Sequence, residues 1–150
     1  MEIRKVNKCH KHKLERFFED MDIQGKSFLY PYPFTTEEVE RVINYKGKDV
    51  YYVIENNAII IAYGFLRGWD DHWKNICLGV MVASSERGKG YGKLMCDILH
   101  TIARHRKIVR IRLHVKLDNI IAFNLYKSLG YTFASKRKNG DWIGYKILNK

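Results

Sequence analysis

The chain has 150 residues, of which 46% are hydrophobic and 29% are charged, and its formal net charge at pH 7 is +11. This length predicts a single domain over residues 1–150, and the composition excludes a disordered chain. The apolar runs are too short to span a bilayer, and segment 1–13 lacks the apolar core of a signal peptide. We therefore expect a cytoplasmic protein without a membrane partner. Three widely spaced cysteines agree with a reducing compartment, and the excess of cations favours an anionic ligand or partner.

The N-terminal segment predicts a short strand followed by an amphipathic helix. The strand is Glu2–Val6, and two prolines in segment 30–34 end the helical pattern because proline disfavours helix at the residue before it. The helix is indicated by apolar residues at i, i+3, i+4 and i+7, which are Leu14, Phe17, Phe18 and Met21.

A second helix and a hairpin follow. The helix begins near Thr35, where Glu38 is placed to complete a capping box. Val50–Glu55 and Ala58–Leu66 are predicted to pair around Asn56–Asn57, because asparagine tolerates a positive φ.

The C-terminal half alternates strands and helices. Strand Ile76–Val82 leads through a glycine-rich turn into a helix, and strand Val109–Val115 leads into a helix over Ile121–Leu129. The apolar face of the first helix consists of Tyr91, Leu94, Met95, Ile98, Leu99 and Ile102.

The last two strands are predicted as a hairpin. Tyr131–Lys138 and Asp141–Leu148 flank Asn139–Gly140, a two-residue hairpin signal. The whole order, β-α-α-β-β-β-α-β-α-β-β, predicts an α/β (α+β) fold. Its centre is a mixed sheet of six to seven strands with helices on both faces.

The glycine-rich turn is the strongest functional signal. Glycines at alternate positions remove Cβ atoms, so their amides can approach an anion, and the following helix adds unpaired N–H groups and the positive end of its dipole. The spacing fits neither the P-loop nor the dinucleotide fingerprint. The turn therefore predicts a phosphate-bearing ligand, held within Arg87, Gly88, Lys89, Gly90, Tyr91, Gly92 and Lys93.

With this order of elements, the chain resembles the GCN5-related N-acetyltransferases. Segment 87–92 fits the family's Gln/Arg-x-x-Gly-x-Gly/Ala loop. The family's later block, Asn-x-x-Ala-x-x-Leu-Tyr-x-x-x-Gly-Phe, is matched from Asn119 to Tyr131, with Tyr131 in place of phenylalanine. The resemblance covers nearly the whole chain and implies acetyl-CoA as cosubstrate.

The resemblance also implies roles for individual residues. The loop amides of residues 87–92, with Lys93, would hold the pyrophosphate, and two parallel strands would splay apart to admit the cosubstrate. The backbone of Val80, Met81 and Val82 would pair with the pantetheine arm, Asn119 would contact the pantetheine region, and Tyr126 would protonate the departing thiolate.

The general base is left open among four candidates. Asp70 and Asp71 follow a strand beside aromatic residues, where they could collect a proton from the amine, although aspartate is also common in turns. His114 alternates with Arg110 and Arg112 on a strand inside the sheet, which suggests that this face meets a cleft. Water is the fourth candidate.

The acceptor is expected to be a small amine, with an amino sugar or similar metabolite favoured. Alternatives are a protein N-terminus or a polyamine as acceptor, or a non-catalytic nucleic-acid-binding module on the same fold. Nucleic acid is disfavoured because no recognition element is evident.

The oligomeric state stays open, with a homodimer compatible with the sequence. Cys9, His10 and His12 are close in sequence but do not amount to converging ligands, so we expect no metal.

Overall fold

Seven strands form one mixed sheet in the computed structural model, which describes residues 1–29 and 32–148. The strands are β1 Glu2–Lys5, β2 Val50–Asn56, β3 Ile59–Arg67, β4 Ile76–Val82, β5 Arg110–Val115, β6 Thr132–Lys136 and β7 Trp142–Ile147. The helices are α1 Lys11–Glu19, α2 Ile23–Leu29, α3 Thr36–Ile43, α4 Tyr91–His105 and α5 Ile120–Ser128.

The sheet order is β1-β2-β3-β4-β5-β7-β6, and β4 and β5 are its parallel pair. These two strands are joined at only two residue pairs, Ile76 with Ile111 and Cys77 with Arg112. Beyond them the strands part, while β4 stays paired with β3 as far as Val82. The predicted mixed sheet and the splay of its parallel strands are confirmed.

One hydrophobic core lies on each face of the sheet. On one face, α1 and α3 bury Leu14 and Val39 against Tyr63. On the other, α4 buries Met95 and Leu99 in the same cluster as residues of β4 and β5. Helices on both faces were expected from the amphipathic patterns, and the burial of these stripes holds the sheet between them.

Helix α2 was not predicted. It has no continuous apolar stripe, since Ile23 is 90% exposed and Gly25 is its third residue. A Cβ at Gly25 would meet the ends of the Arg87 and Asp22 side chains, so glycine leaves room for the ion pair between them. Residues 30 and 31 of the predicted proline break lie outside the described residues.

Both hairpin turns differ from the prediction. In the first, positive φ angles fall on Asn57 and Ala58, because Asn56 pairs with Ile59 and the turn lies one position later than predicted. The second has a three-residue loop, 138–140, with positive φ at Gly140. The amide of Gly140 donates to the Arg137 carbonyl at 2.9 Å, which is typical of a turn closed by a glycine bulge.

The start of α3 follows the prediction in part. The Thr35 hydroxyl accepts the amide of Glu38 at 3.2 Å and caps the helix. The Glu38 carboxylate does not return to Thr35, because it binds Tyr32 and Arg41 instead.

A buried histidine on α4 makes the stability of this fold depend on pH. His100 Nε2 lies 2.8 Å from the Tyr131 hydroxyl, and burial, helped by Lys146 and Arg104, lowers the pKa of His100 to about 4. Below the ordinary pKa of histidine, only the unfolded chain takes up the proton, so stability falls as the pH drops from about 7 towards 4.

Between pH 7 and pH 5 the unfolding free energy of the wild type should decrease. We expect this decrease to be about 2 kcal/mol smaller in His100→Gln. Urea unfolding at the two pH values measures it. His12→Gln is the control, because the His12 side chain is 93% exposed. An unchanged pH dependence in His100→Gln would contradict the assignment.

Candidate active site

The gap between β4 and β5 leaves backbone groups of β4 without a strand partner. The amide of Ala83 donates to the Ile61 carbonyl of β3 at 2.9 Å. Because successive amides of a strand point to opposite sides, the N–H groups of Val80 and Val82 point away from β3 into the gap. The gap therefore offers an extended ligand a free strand edge over the predicted segment, Val80, Met81 and Val82.

The glycine-rich turn lies directly after this edge. Gly88 and Gly90 have φ of 78° and 89°, and a Cβ at either would meet nothing within 4 Å. Gly90 is the N-cap of α4, and no side chain of the described residues caps that helix end with a hydrogen bond. Tyr91, Gly92 and Lys93 form the first turn, whose N–H groups lack intrahelical partners, so the turn can bind an anion.

The three cations of this turn are held by carboxylates. Arg87 contacts Asp22 at 3.1 Å through Nη1 and at 3.2 Å through Nη2, and it lowers the pKa of the Asp22 carboxyl. Lys89 pairs with Glu86 at 3.0 Å, and Lys93 pairs with Asp97 at 2.9 Å. All three cations are exposed, and a carboxylate offsets the charge of each, so the capacity of the turn to bind an anion rests mainly on its backbone amides.

Tyr126 lies on α5 and is buried in the core cluster that also contains residues of β4 and β5. Burial raises the pKa of its phenol well above the ordinary value, and the thiols of Cys96 and Cys77 raise it further. Within residues 1–29 and 32–148, its hydroxyl has no hydrogen-bond partner, whereas its ring neighbour Tyr131 bonds His100. Tyr126 is thus a protonated phenol whose O–H is available to donate.

Asn119 is the N-cap of α5. Its side-chain oxygen accepts the amide of Ala122 at 3.3 Å. This contact fixes the start of the helix that carries Tyr126 and uses the side-chain oxygen of Asn119, while its amide group is a separate donor.

The two predicted aspartates lie in the connection between β3 and β4. Asp70 accepts the amides of Lys48 at 2.9 Å and of Asp49 at 3.4 Å, which braces the segment before β2. Asp71 is exposed. Neither lines the cavity described next, and Tyr126 is in the core cluster and not among the lining residues of that cavity.

A groove of about 590 Å³ opens where β4 and β5 part, on the face that carries α2. One wall is aromatic and contains Tyr32, Phe65 and Trp73. The other is a cationic wall that contains Arg112, His114 and Arg137, and Arg67 joins it to the aromatic wall because its guanidinium packs against Phe65 and Trp73. The cleft predicted at the polar face of β5 is therefore present.

His114 faces this groove between two guanidinium groups. Arg112 Nε donates to its Nε2 at 2.9 Å, and Arg137 Nη1 lies 3.2 Å from its Nδ1. Burial first, then Arg112 and Arg137, lower the pKa of His114 to about 4, so the ring is neutral at pH 7. Its lone pair already accepts from an arginine, which makes it a weak base.

Sequence reasoning missed two cationic residues of the groove. Arg67 continues the alternation that places Tyr63 and Phe65 on one face of β3, so this signal was available. Arg137 lies in the hairpin connection after β6, and no spacing in the sequence links it to the groove.

A family model described as the acetyltransferase (GNAT) family matches residues 17–131. Because this match covers well over half of the chain, the protein belongs to the GNAT acetyltransferase family. It is therefore an acyltransferase whose cosubstrate is acetyl-CoA, which confirms the predicted family, enzyme class and cosubstrate.

Solved structures share the fold at low sequence identity. The GNAT domain of S. lividans PAT gives a TM-score of 0.86 at 17% identity, over 97% of this chain and 89% of that chain. A ribosomal-protein-alanine N-acetyltransferase from Brucella melitensis gives 0.81 at 20%, over 99% and 100%. An aminoglycoside 6'-N-acetyltransferase complexed with coenzyme A gives 0.74 at 15%, over 100% and 98%. No curated protein matches the chain in sequence.

No helix within residues 1–29 and 32–148 has both the length and the apolar character needed to cross a membrane. In that same part of the chain, no three His, Cys, Asp or Glu side chains converge as a metal site.

Proposed function

We propose that this protein transfers the acetyl group of acetyl-CoA directly to the primary amine of a small acceptor bound in the groove. The observation that carries the proposal is the continuity of three features: the glycine turn, the free edge of β4 and the groove. A volume of about 590 Å³ suits a small molecule, within the usual range for such pockets.

The residues present fit acetyl-CoA. The amides of segment 88–92 would hold its diphosphate, because the space that Cβ atoms would fill at Gly88 and Gly90 is empty. The free amides of Val80 and Val82 would hold its extended pantetheine arm as an added strand. Arg87 and Lys89 would screen the phosphates, and Lys93 and Asn119 would complete the cofactor-binding set.

Bound acetyl-CoA supplies an activated acyl group with a sulfur leaving group. Tyr126 would donate its phenolic proton to that sulfur, and the raised pKa of Tyr126 keeps this proton in place at neutral pH. A backbone N–H within Leu78–Val82 would hold the negative charge that develops on the carbonyl oxygen. The three cysteines take no covalent part.

The amine must lose a proton before or during attack. Asp70 is engaged in backbone contacts and Asp71 lies outside the groove, while the lone pair of His114 is already used. We therefore favour a water relay in the groove among the four candidates for the base.

The acetyl-CoA site is tested by thermal melting. A thousandfold excess of acetyl-CoA over its dissociation constant should stabilise the folded protein by about 4 kcal/mol through mass action. Free-thiol release against a panel of primary amines then identifies the acceptor class. A melting temperature that acetyl-CoA leaves unchanged would remove the basis of the proposal, and a shift caused by nucleic acid alone would favour the binding-module alternative.

A further inference from the structure

We propose that the acceptor amine carries an anionic oxygen group, a carboxylate or a phosphate, which Arg67, Arg112 and Arg137 bind in the groove. This inference rests on the proposed function, because it assigns a substrate class to the same groove.

The charge in the groove is strongly positive. Three arginines and Lys74 line it, whereas Asp141 is its carboxylate. Asp141 is already neutralised, because its Oδ2 lies 3.4 Å from Lys116 Nζ and accepts from the Asn139 amide at 3.1 Å. The groove therefore has positive charge that no carboxylate in its lining offsets.

The three arginines of the groove have no carboxylate partner, in contrast to Arg41 and Arg87. Arg41 and Arg87 each bind a carboxylate, Glu38 and Asp22 respectively. Across residues 1–29 and 32–148, no carboxylate lies within 4.0 Å of Arg67, Arg112 or Arg137. A guanidinium fork matches the two oxygens of a carboxylate or phosphate, so these groups are suited to an external anion.

Arg67 adds an independent observation. Its Nε is buried and has no hydrogen-bond partner in the described part of the chain. Its guanidinium lies between the rings of Phe65 and Trp73, with centroid distances of 5.7 and 5.9 Å. A buried donor without a partner costs free energy, and an anion in the groove would supply the missing acceptor.

The contacts of His114 also show that the groove has more hydrogen-bond donors than acceptors. Both of its ring nitrogens face guanidinium groups, but a neutral imidazole has only one lone pair, so only one of the two contacts can be a hydrogen bond. The other brings donor against donor. An oxyanion between Arg112 and Arg137 would accept from both and relieve this contact.

The opposite wall limits the rest of the acceptor. Tyr32 and Phe65 stack with ring centroids 5.8 Å apart and an interplanar angle of 17°, which gives a flat apolar surface. The groove thus fits a small molecule with an anionic end and a carbon body. A polyamine would meet like charge, so the structure disfavours it as acceptor.

The test measures anion binding without turnover, on protein saturated with coenzyme A so that the glycine turn is occupied. Inorganic phosphate and acetate are titrated separately at constant ionic strength, and the histidine ring C–H signals are followed by NMR. His114→Gln identifies the His114 signal. We expect a saturable shift of that signal, with an affinity at least tenfold weaker in Arg112→Gln and in Arg67→Gln.

Two variants keep the result interpretable. Arg137→Gln changes an exposed residue, so it keeps the fold and should also weaken binding at least fivefold. Arg104→Gln removes the same charge from α4, on the other face of the sheet, and should bind as the wild type does. Tighter phosphate binding indicates a phosphorylated amine, and tighter acetate binding indicates an amino acid.

The inference would be overturned if the wild type showed no saturable shift, or if all three groove variants bound the anions with the affinity of the wild type. The proposed function would still stand if acetyl-CoA raises the melting temperature. Conversely, an anion response without acetyl-CoA binding would leave the groove assignment in place and remove the acetyltransferase proposal.

Discussion

Tyr126→Phe is expected to lower the turnover number by about a hundredfold or more, because a positioned general acid contributes about 10²–10⁴ to a rate. The substitution removes one oxygen from a buried side chain whose hydroxyl makes no hydrogen bond within the described residues, so the folded state should lose little. The dissociation constant for acetyl-CoA should stay within about twofold, because the glycine turn and β4 supply that affinity. Steady-state thiol release and calorimetry measure the two quantities.

Tyr131→Phe is the matched control. Tyr131 is buried against the same ring at a centroid distance of 5.6 Å, and its hydroxyl bonds His100. Its loss should cost about 1 kcal/mol of stability and leave turnover largely unchanged. If Tyr126→Phe turned over at the wild-type rate, the proton would have to reach the sulfur from another donor.

Gly90→Ala is expected to weaken acetyl-CoA binding at least tenfold. An alanine at φ 89° costs about 1–2 kcal/mol of backbone strain, so the turn either keeps this strain or rotates its amides out of line. Each lost hydrogen bond to a charged phosphate costs a further 1.5–3 kcal/mol, roughly. Because a Cβ at this position meets nothing within 4 Å, the loss should come from the backbone and not from a clash. Calorimetric titration with coenzyme A measures it.

Gly140→Ala separates backbone strain from loss of the site. Gly140 has φ 93°, and a Cβ there would make an ordinary contact 3.6 Å from Leu117. This variant should lose similar stability while it binds coenzyme A as the wild type does. Equal affinities in both variants and the wild type would place the diphosphate elsewhere.

The parts of the fold that sequence predicts are those where local and tertiary preferences agree. Helix α4 has a continuous apolar stripe and a glycine turn before it, and the structure contains both the helix and the turn. Helix α2 could not be predicted, because Gly25 disfavours a helix and the exposed Ile23 breaks the apolar pattern. The first hairpin turn lies one residue later than predicted, because Asn56 is the last paired residue of β2 and no local signal reports that register.

The site divides in the same way. Tyr126 and the glycine turn belong to contiguous motifs, so sequence alone points to them. The cationic groups come from β3, β5 and the connection after β6, and only the folded sheet places Arg67 and Arg137 in one groove. Asp70 is the opposite case. Its position beside aromatic residues suggested a general base, but in the structure its carboxylate accepts backbone amides.

The two residue pairs between β4 and β5 have a consequence for how the molecule opens. Strands β5, β7 and β6 are held to the rest of the sheet mainly by the core beneath α4, so separating them requires less free energy than unfolding the chain. In hydrogen-exchange experiments, the backbone amides of β4 and β5 at this junction should exchange through a sub-global opening. A molecule that hydrogen-bonds along the free edge of β4 would slow that exchange. Binding in the gap would therefore make the junction between β4 and β5 more rigid.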